Sequence, residues 1–275
     1  RRGEGADGGF ARAIEQCNGQ GACRKMDGGM CPSYMVTQDE EHSTRGRANL
    51  LRMAISGVLP PEELTGRRVF DALDLCVECK ACKSECPSGV DMAKLKYEVL
   101  AQRNDEHGLP LRSRLFGNIA TLSRIASATA PVSNAIAGLW PVRWALHRIL
   151  GIHSQRPLPA FERETFRRWF SRRPAPTSQA PRGDVVLFDD TFTRYNHPEV
   201  GRAATRVLEA LGYRVVLVDR QACCGRPAIS KGMLGIAREW AAQNIEALLP
   251  YAERGVPIIG VEPSCLLTLR DEYPL

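Results

Sequence analysis

Cys76-Val77-Glu78-Cys79-Lys80-Ala81-Cys82-Lys83-Ser84-Glu85-Cys86-Pro87 is the stretch that decides the fold. Its spacing, Cys-x2-Cys-x2-Cys-x3-Cys-Pro, is a ligand run for iron–sulfur clusters. Three thiolates inside seven residues do not spread readily around one tetrahedral zinc, which usually draws on two separated knuckles. They can wrap one face of an iron–sulfur cube. The fourth cysteine then turns away at the proline and serves another cluster. Metal-free buried thiols and zinc are the competing readings, and the spacing speaks against both.

If Cys86 serves another cluster, a second run must exist. Cys17-x5-Cys23-x7-Cys31-Pro32 supplies it. Aligned on the later run, Cys17 matches the first ligand, Cys23 the third and Cys31-Pro32 the crossing fourth, while Gln20 stands where the second thiolate belongs. Cluster B then has Cys31, Cys76, Cys79 and Cys82, a complete set for [4Fe–4S]. Cluster A has Cys17, Cys23 and Cys86 alone. It is either [3Fe–4S], or [4Fe–4S] with a non-cysteine ligand, for which Asp27, His42 and solvent are candidates. His42 also reads as a hydrogen-bonding residue at a helix entry. A missing thiolate removes negative charge, which tends to raise the potential, so A is expected above B.

Seven of the ten cysteines lie in residues 17–86 and three more at Cys223, Cys224 and Cys265, with none from 87 to 222. Such clustering argues for metal ligation. The absence of a secretory pattern points to a reducing, cytoplasmic compartment. The 275 residues, 25% charged and 44% hydrophobic, exclude a disordered chain, a collagen and a membrane bundle, and suggest about two domains. The start at Arg1 and the stop soon after Cys265 read as a piece of a longer protein. The net charge of +6 is uneven. Residues 1–150 hold 20 basic and 17 acidic side chains, residues 151–183 hold 7 and 2, and residues 184–275 hold 10 and 12. The basic stripe Arg156, Arg163, Arg167, Arg168, Arg172, Arg173 and Arg182 suits an acidic partner or anionic lipid. The plainer reading is a solvated helix face plus linker.

Residues 1–35 are glycine-rich (Gly3, Gly5, Gly8, Gly9, Gly19, Gly21, Gly28, Gly29), a backbone that can approach a ligand closely. Ser43 or Thr44 caps a helix through Arg47–Ser56, and further helices are expected over Glu62–Leu75 and Asp91–Gln102. Residues 111–150 read as two packed helices broken by Pro131 and Pro141. Their apolar run Ala126–Trp140 falls short of the ~20 residues of a membrane span. Trp140 and Trp144 suit the core, with a lipid interface or a quinone entrance as the alternative. Residues 154–183, rich in proline (Pro157, Pro159, Pro174, Pro176, Pro181), form a linker around a short basic helix Phe161–Phe170. Beyond it the texture is β-α-β-α-β: strands Val185–Phe188, Arg214–Val218 and Pro257–Val261, with helices Pro198–Leu211 and Gly232–Leu249.

Here the residues resemble a known family. CNGQGACRK (17–25), MCPSYMVTQDEEHSTRGRANLLR (30–52) and LDLCVECKACKSECPSGVDMAKLK (73–96) are similar to the iron–sulfur half of the long bacterial FAD-linked D-2-hydroxyacid dehydrogenases. Iron–sulfur subunits of glycolate oxidase and anaerobic glycerol-3-phosphate dehydrogenase are more distant relatives. The resemblance covers nearly all of residues 10–275. It implies a flavin domain preceding this segment, FAD there, and oxidation of D-lactate, D-2-hydroxyglutarate or a related acid. Arg45 and Arg47, in STRGRANLLR, are read either as partners of an anionic cluster or carboxylate, or as helix-capping and packing residues.

QACCGRPAISKGM (221–233) resembles the CCG motif of the heterodisulfide-reductase and glycolate-oxidase group, in which a cysteine precedes the motif and a Cys-x-x-Cys follows. Here Asp190 or Thr191 takes the leading place, and Glu262-Pro263-Ser264-Cys265 retains one thiol. The three places follow successive strands, at the carboxyl ends where open α/β sheets bind ligands. Cys223, Cys224 and Cys265, with Asp190 or Glu262, are a candidate third cluster; inert buried thiols are the alternative.

The expected organisation is a helical two-cluster ferredoxin-type domain (1–110), a helical extension packed on it (111–153), a linker (154–183) and a truncated first CCG-type α/β domain with parallel sheet (184–275). The expected function is electron transfer from a flavin domain or subunit through two clusters to a quinone or redox protein. The rivals are a heterodisulfide-reductase-like thiol module and a stand-alone ferredoxin-like partner. Neither a phosphate loop nor a dinucleotide fingerprint is present. The local basic charge lacks the aromatic interleaving of a nucleic-acid binder. No transmembrane segment is expected, and contact at the inner membrane face is left open.

Overall fold

The computed structural model describes residues 9–174 and 182–274. By contact the chain forms two compact units. One comprises the residues up to Pro110 together with Ser230–Leu234, the other Leu111–Ile229 and Gly235–Leu275.

The first unit is helical: Gly9–Glu15, Pro32–Thr37, Thr44–Ile55, Arg67–Asp74, Ala81–Glu85 and Met92–His107, with 3-10 turns at Ala22–Arg24, Glu40–His42 and Pro61–Leu64. Ser43, rather than Thr44, caps the third helix, its Oγ accepting the Gly46 N–H at 2.9 Å. Ala48, Leu51 and Ala54 recur every three residues and are buried, forming one apolar stripe. The stripe joins a core with Ile14, Val69, Leu73, Val90 and Leu95. Each such side chain contributes about 1.5–3 kcal/mol on burial. The helix expected over Glu62–Leu75 is broken at Gly66, where a Cβ would lie 2.9 Å from the Glu63 Cα. The helix after Pro87 runs five residues past Gln102, through good helix formers to His107, and stops at Gly108.

In the second unit, residues 111–150 form four helices, Leu111–Gly117, Ile119–Ala128, Val132–Gly138 and Trp140–Leu150, where two were expected. Pro141 opens the last of these, in a first turn that tolerates proline. This stretch belongs to the second unit by contact, rather than to the first-domain packing the sequence suggests. The core assignment of Trp140 and Trp144 is overturned: they are 73% and 51% exposed. Their helix buries Leu150 alone. The basic helix forms at Phe166–Arg172, later than Phe161, because Thr165 Oγ1 caps it by accepting the Arg168 N–H. Pro176 and Pro181 lie outside the described residues.

Three parallel strands, β1 Asp184–Phe188, β2 Arg214–Val216 and β3 Ile258–Gly260, are ordered β2-β1-β3. Two helices lie along the chain between β1 and β2, Thr191–Tyr195 and Pro198–Ala210. Two more lie between β2 and β3, Arg226–Ile229 and Leu234–Ala252. Helices cover both faces of the central strand, so β1 is buried throughout Val185–Phe188. Val185 and Leu187 pack with Phe166, Leu208 and Val215. Val186 and Phe188, on the opposite face, pack with Val218, Leu248, Cys224 and Cys265. The alternation of a strand thus sets one face of the sheet against the basic helix and the other against the C-terminal thiols. The basic helix is therefore not simply solvated. Phe166 is fully buried, and Arg167 makes a bidentate pair with buried Asp189 at 2.8 Å, which Arg194 also joins.

Candidate metal centres

The later cysteine run is curled by two residues in the left-handed region, Glu78 (φ 57°) and Lys80 (φ 60°). Such conformations cost about 1 kcal/mol or more each for non-glycine residues, so surrounding contacts must hold them. Lys96 does this from the helix Met92–His107. Its ammonium donates to the Cys76 carbonyl at 2.7 Å and pairs with Glu78 at 3.2 Å, with both side chains 9% exposed.

Cys76, Cys79 and Cys82 line one cavity, and the fourth thiol of that lining is Cys31 from the earlier run. Cys86 is not part of it. Cys31 is itself left-handed (φ 54°) and opens the helix Pro32–Thr37. Arg47 sets the two segments together. It is 2% exposed, donating through Nε to the Ala72 carbonyl at 2.7 Å and through Nη2 to Ser33 Oγ at 3.0 Å. It lines the cavity, while these two donors tie its helix to the helices Arg67–Asp74 and Pro32–Thr37. Arg45 behaves likewise, donating to Glu40 and to the Gly19 carbonyl inside the Cys17–Cys23 loop.

Two helix N-termini are turned on the thiols. At the start of Thr44–Ile55, the Thr44 N–H donates to Cys31 Sγ at 3.1 Å and the Arg45 N–H to Cys23 Sγ at 3.3 Å. Thr44 Oγ1 lies 2.8 Å from the same Cys31 sulfur. Only glycine fits at 46, since a Cβ there would stand 1.9 Å from the Glu40 carbonyl. At the start of Met92–His107, the Met92 N–H donates to Cys82. Helix N-termini carry partial positive charge and favour an anion such as a thiolate.

Cys23 and Cys31 also touch each other. The Cys31 thiol, with the Arg45 N–H, draws Cys23 down to about 6 against its burial. The Cys23 sulfur, with burial, pushes Cys31 up. Burial raises Cys82 to about 11 against the Met92 N–H. Metal binding at such a site therefore releases protons.

Cys17 and Cys23 are buried in the same core and Cys86 packs against it, and Arg45 carries its positive charge near both Cys17 and Cys23. Gln20, in the missing-ligand place, is engaged with Asn18 through side chain and backbone. Asp27 is exposed. His42 Nδ1 is 2.9 Å from Thr37 Oγ1, which matches the helix-entry reading. Among the described residues no three His, Cys, Asp or Glu side chains close on a single-ion point.

In the second unit the thiols form a chain, Cys223 to Cys224 to Cys265, with the Thr191 hydroxyl on Cys223. Asp190 does not take part: it caps its own helix, accepting the Phe192 and Thr193 N–H groups and the Thr193 hydroxyl. Glu262 caps the helix Pro263–Asp271 through Ser264. The leading-cysteine place therefore falls to Thr191. The Cys224 contact and burial push Cys223 up. In Cys224 the lowering by Cys223 is outweighed by Cys265 and burial.

Sequence reasoning missed the residues that hold this site. Asn244, fully buried, accepts the Ala222 N–H at 2.9 Å and donates to the Cys223 carbonyl at 3.0 Å and Tyr273 Oη at 2.9 Å. The Tyr273 hydroxyl donates to the Cys224 carbonyl at 3.1 Å. The available signal was a lone asparagine amid the apolar positions of a long helix. Lys96 and Thr44 were missed too, because nothing local marks their partners.

Two thiol runs that share a cavity in a helical unit, followed by three thiols beside a parallel sheet, define a two-domain iron–sulfur protein. Residues 16–91 match a family model described as "4Fe-4S dicluster domain", and residues 185–270 one described as "Cysteine-rich domain". The chain is 34% identical over 186 residues to one of the subunits of anaerobic glycerol-3-phosphate dehydrogenase of Escherichia coli (strain K12), covering 67% of this chain and 45% of that one. It is 27% identical over 309 residues to D-2-hydroxyglutarate dehydrogenase of Pseudomonas putida, covering 96% of this chain and 30% of the relative. It is 27% identical over 234 residues to the glycolate oxidase iron-sulfur subunit of Escherichia coli (strain K12), covering 83% and 52%. The resemblance read from the residues is borne out. The chain spans about half the length of these relatives or less. No solved structure matches it.

Proposed function

We propose that this chain is the electron-transfer part of a flavin-linked dehydrogenase or oxidase acting on a hydroxyacid or a similar alcohol. Electrons enter from a reduced flavin on a neighbouring domain or subunit and leave to a quinone or redox protein. The observation that carries the reading is the shared cavity of Cys31 with Cys76, Cys79 and Cys82. Four thiols drawn from two runs suit one [4Fe–4S] cluster, and they leave Cys17, Cys23 and Cys86 for a second, of three or four irons. When bound, such clusters supply one-electron storage. The chain's own residues orient the thiols, exclude water, and donate from Thr44, Arg45 and Met92 to the sulfurs. Hydrogen bonds of this kind tune the potential.

The matching organisation is a dicluster domain to residue 110, a helical extension 111–153, a linker 154–183, and a β-α-β-α-β cysteine-rich domain 184–275. Cys223, Cys224 and Cys265 form a third metal site at its carboxyl edge, with Thr191 in the place of the absent leading thiol. The test is anaerobic reconstitution followed by reduction with a photoreduced flavin. The reading requires cluster bleaching and reoxidation by a soluble quinone or an oxidised redox protein. A chain that binds iron but takes no electrons from flavin contradicts it. Unchanged iron content in Cys223→Ser protein removes the third site.

A further inference from the structure

The basic helix Phe166–Arg172 packs against the helix Pro198–Ala210 on the sheet face away from the thiols. Gly201 lets the two come close: a Cβ there would stand 2.7 Å from the buried Phe166 ring. Further along both helices a cavity of about 460 Å³ opens, lined by Trp169, Arg172, Arg173, Pro174, Arg206 and Glu209. Trp169 is half-buried, and its ring is stacked on Phe166 with 5.9 Å between centres. The guanidiniums here outnumber the carboxylates. Arg173 pairs with Glu209. Arg202 lies over the Trp169 ring, 5.6 Å from its centre, and pairs with Glu164 at 2.6 Å. Both acids are thus taken. Arg172 and Arg206 are exposed and have no carboxylate partner among the described residues. Arg172 ends its helix, where a cation suits the dipole. Arg206 stands inside its helix, and the acid one turn on, Glu209, is claimed by Arg173. Helix stability does not account for Arg206.

We propose that this cavity is a nucleotide-binding site, with the phosphates held by Arg172 and Arg206 and the base against Trp169 and Pro174. The inference is independent of what the metal centres do, since the cavity and the C-terminal thiols lie on opposite faces of the sheet. Like charges gathered around one hollow repel each other, and an anion placed in it removes that cost. Guanidinium forks match phosphate oxygens two at a time. Glu209, the one acid of the lining, is neutralised by Arg173 and does not oppose an anion. The volume selects a ligand larger than a bare anion. Pockets for small organic ligands span ~300–1,000 Å³, whereas a water-sized group fills ~30 Å³, so a lone phosphate would leave most of the space empty. The remaining wall is an indole and a proline ring, an apolar surface on which an aromatic base can stack. A phosphate ester carrying a flat ring satisfies both halves of the cavity.

The test is calorimetric titration of the cluster-loaded chain with ADP, pyrophosphate and adenosine at physiological ionic strength. The proposal requires saturable binding of ADP, weaker binding of pyrophosphate and of adenosine, and a change of tryptophan emission with ADP that is lost in Trp169→Phe. Arg172→Gln and Arg206→Gln should each weaken ADP binding by about ten- to a hundredfold. Arg168 is exposed on the same helix but outside the cavity, so Arg168→Gln should change binding by less than about twofold in screening salt. All three arginines are exposed, so cluster absorbance and the thermal melt of these variants should stay as in the parent. Three results overturn the proposal: no saturable binding of ADP, pyrophosphate bound as tightly as ADP, or a defect in Arg168→Gln equal to that in Arg206→Gln.

Discussion

Replacing Lys96 by methionine keeps most of the side-chain volume and removes one charge from a buried pair. In the parent its ammonium lies 3.2 Å from Glu78 and 2.7 Å from the Cys76 carbonyl, with 9% exposure on each side chain. Removing one partner of a buried pair costs about 3–5 kcal/mol. A domain is stable by ~5–15 kcal/mol in all, so the change is large. With a urea slope of about 2 kcal/mol per M, the midpoint should fall by about 1.5–2.5 M. Far-UV circular dichroism and visible cluster absorbance, both followed anaerobically, should fall together, because Lys96 holds the turn that carries Cys76 and Cys79. The double variant Lys96→Met/Glu78→Gln should recover much of the loss, since both members of the pair then change together. A midpoint within about 0.3 M of the parent, or a double variant no better than the single one, would refute the reasoning.

Thr44→Val removes the hydroxyl 2.8 Å from Cys31 Sγ and leaves the backbone donor. If it shifts the two oxidation states apart by ~1 kcal/mol, the potential of the Cys31 cluster falls by about 40 mV in a redox titration at unchanged iron content. Asn244→Leu takes the partner from the Ala222 N–H and the Cys223 carbonyl beside a fully buried position, while the Tyr273 hydroxyl keeps the Cys224 carbonyl. The cost of ~2–4 kcal/mol should lower the second unit's melting temperature by about 6–12 °C, read by calorimetry. Asp184 is held below its usual range by the Arg214 fork at 2.6 and 2.8 Å. A lowered folded-state value stabilises the protein above the unfolded value of ~3.9 and is lost as pH falls through the folded one. Arg214 is 64% exposed, so Asp184→Asn should cost at most ~1 kcal/mol at neutral pH and nothing in acid, by urea midpoints across pH.

Much of the first unit was legible because its signals are local. Cys-x2-Cys-x2-Cys constrains a few residues, and Pro32 and Pro87 mark where each run turns. The parallel sheet was legible for the same reason: Val185–Phe188 is a short apolar run with Pro181 and Gly183 before it and Asp189-Asp190 after it. What was not legible depends on distant partners. Ser43, Thr44, Arg45 and Arg47 were visible as a polar group at a helix start. Which of them reaches a thiol and which ties helices together follows from Ala72 and Ser33, segments away in sequence. Asp190 and Glu262 looked like ligands because carboxylates are ligands, but each begins a helix whose N–H groups claim it first. Trp140 and Trp144 looked like core because tryptophan is large and apolar. Their helix instead buries a single residue at its end.

The central claim is that Cys31 crosses from the first run to serve the cluster of Cys76, Cys79 and Cys82. Electron paramagnetic resonance of reduced and oxidised protein tests it most directly, with Cys79→Ser marking the signal of that cluster and Cys17→Ser the signal of the other. The account predicts that Cys31→Ser alters the signal marked by Cys79 and spares the one marked by Cys17, with Cys86→Ser giving the opposite pattern. A Cys31→Ser spectrum that loses the Cys17-marked signal and keeps the other would contradict it.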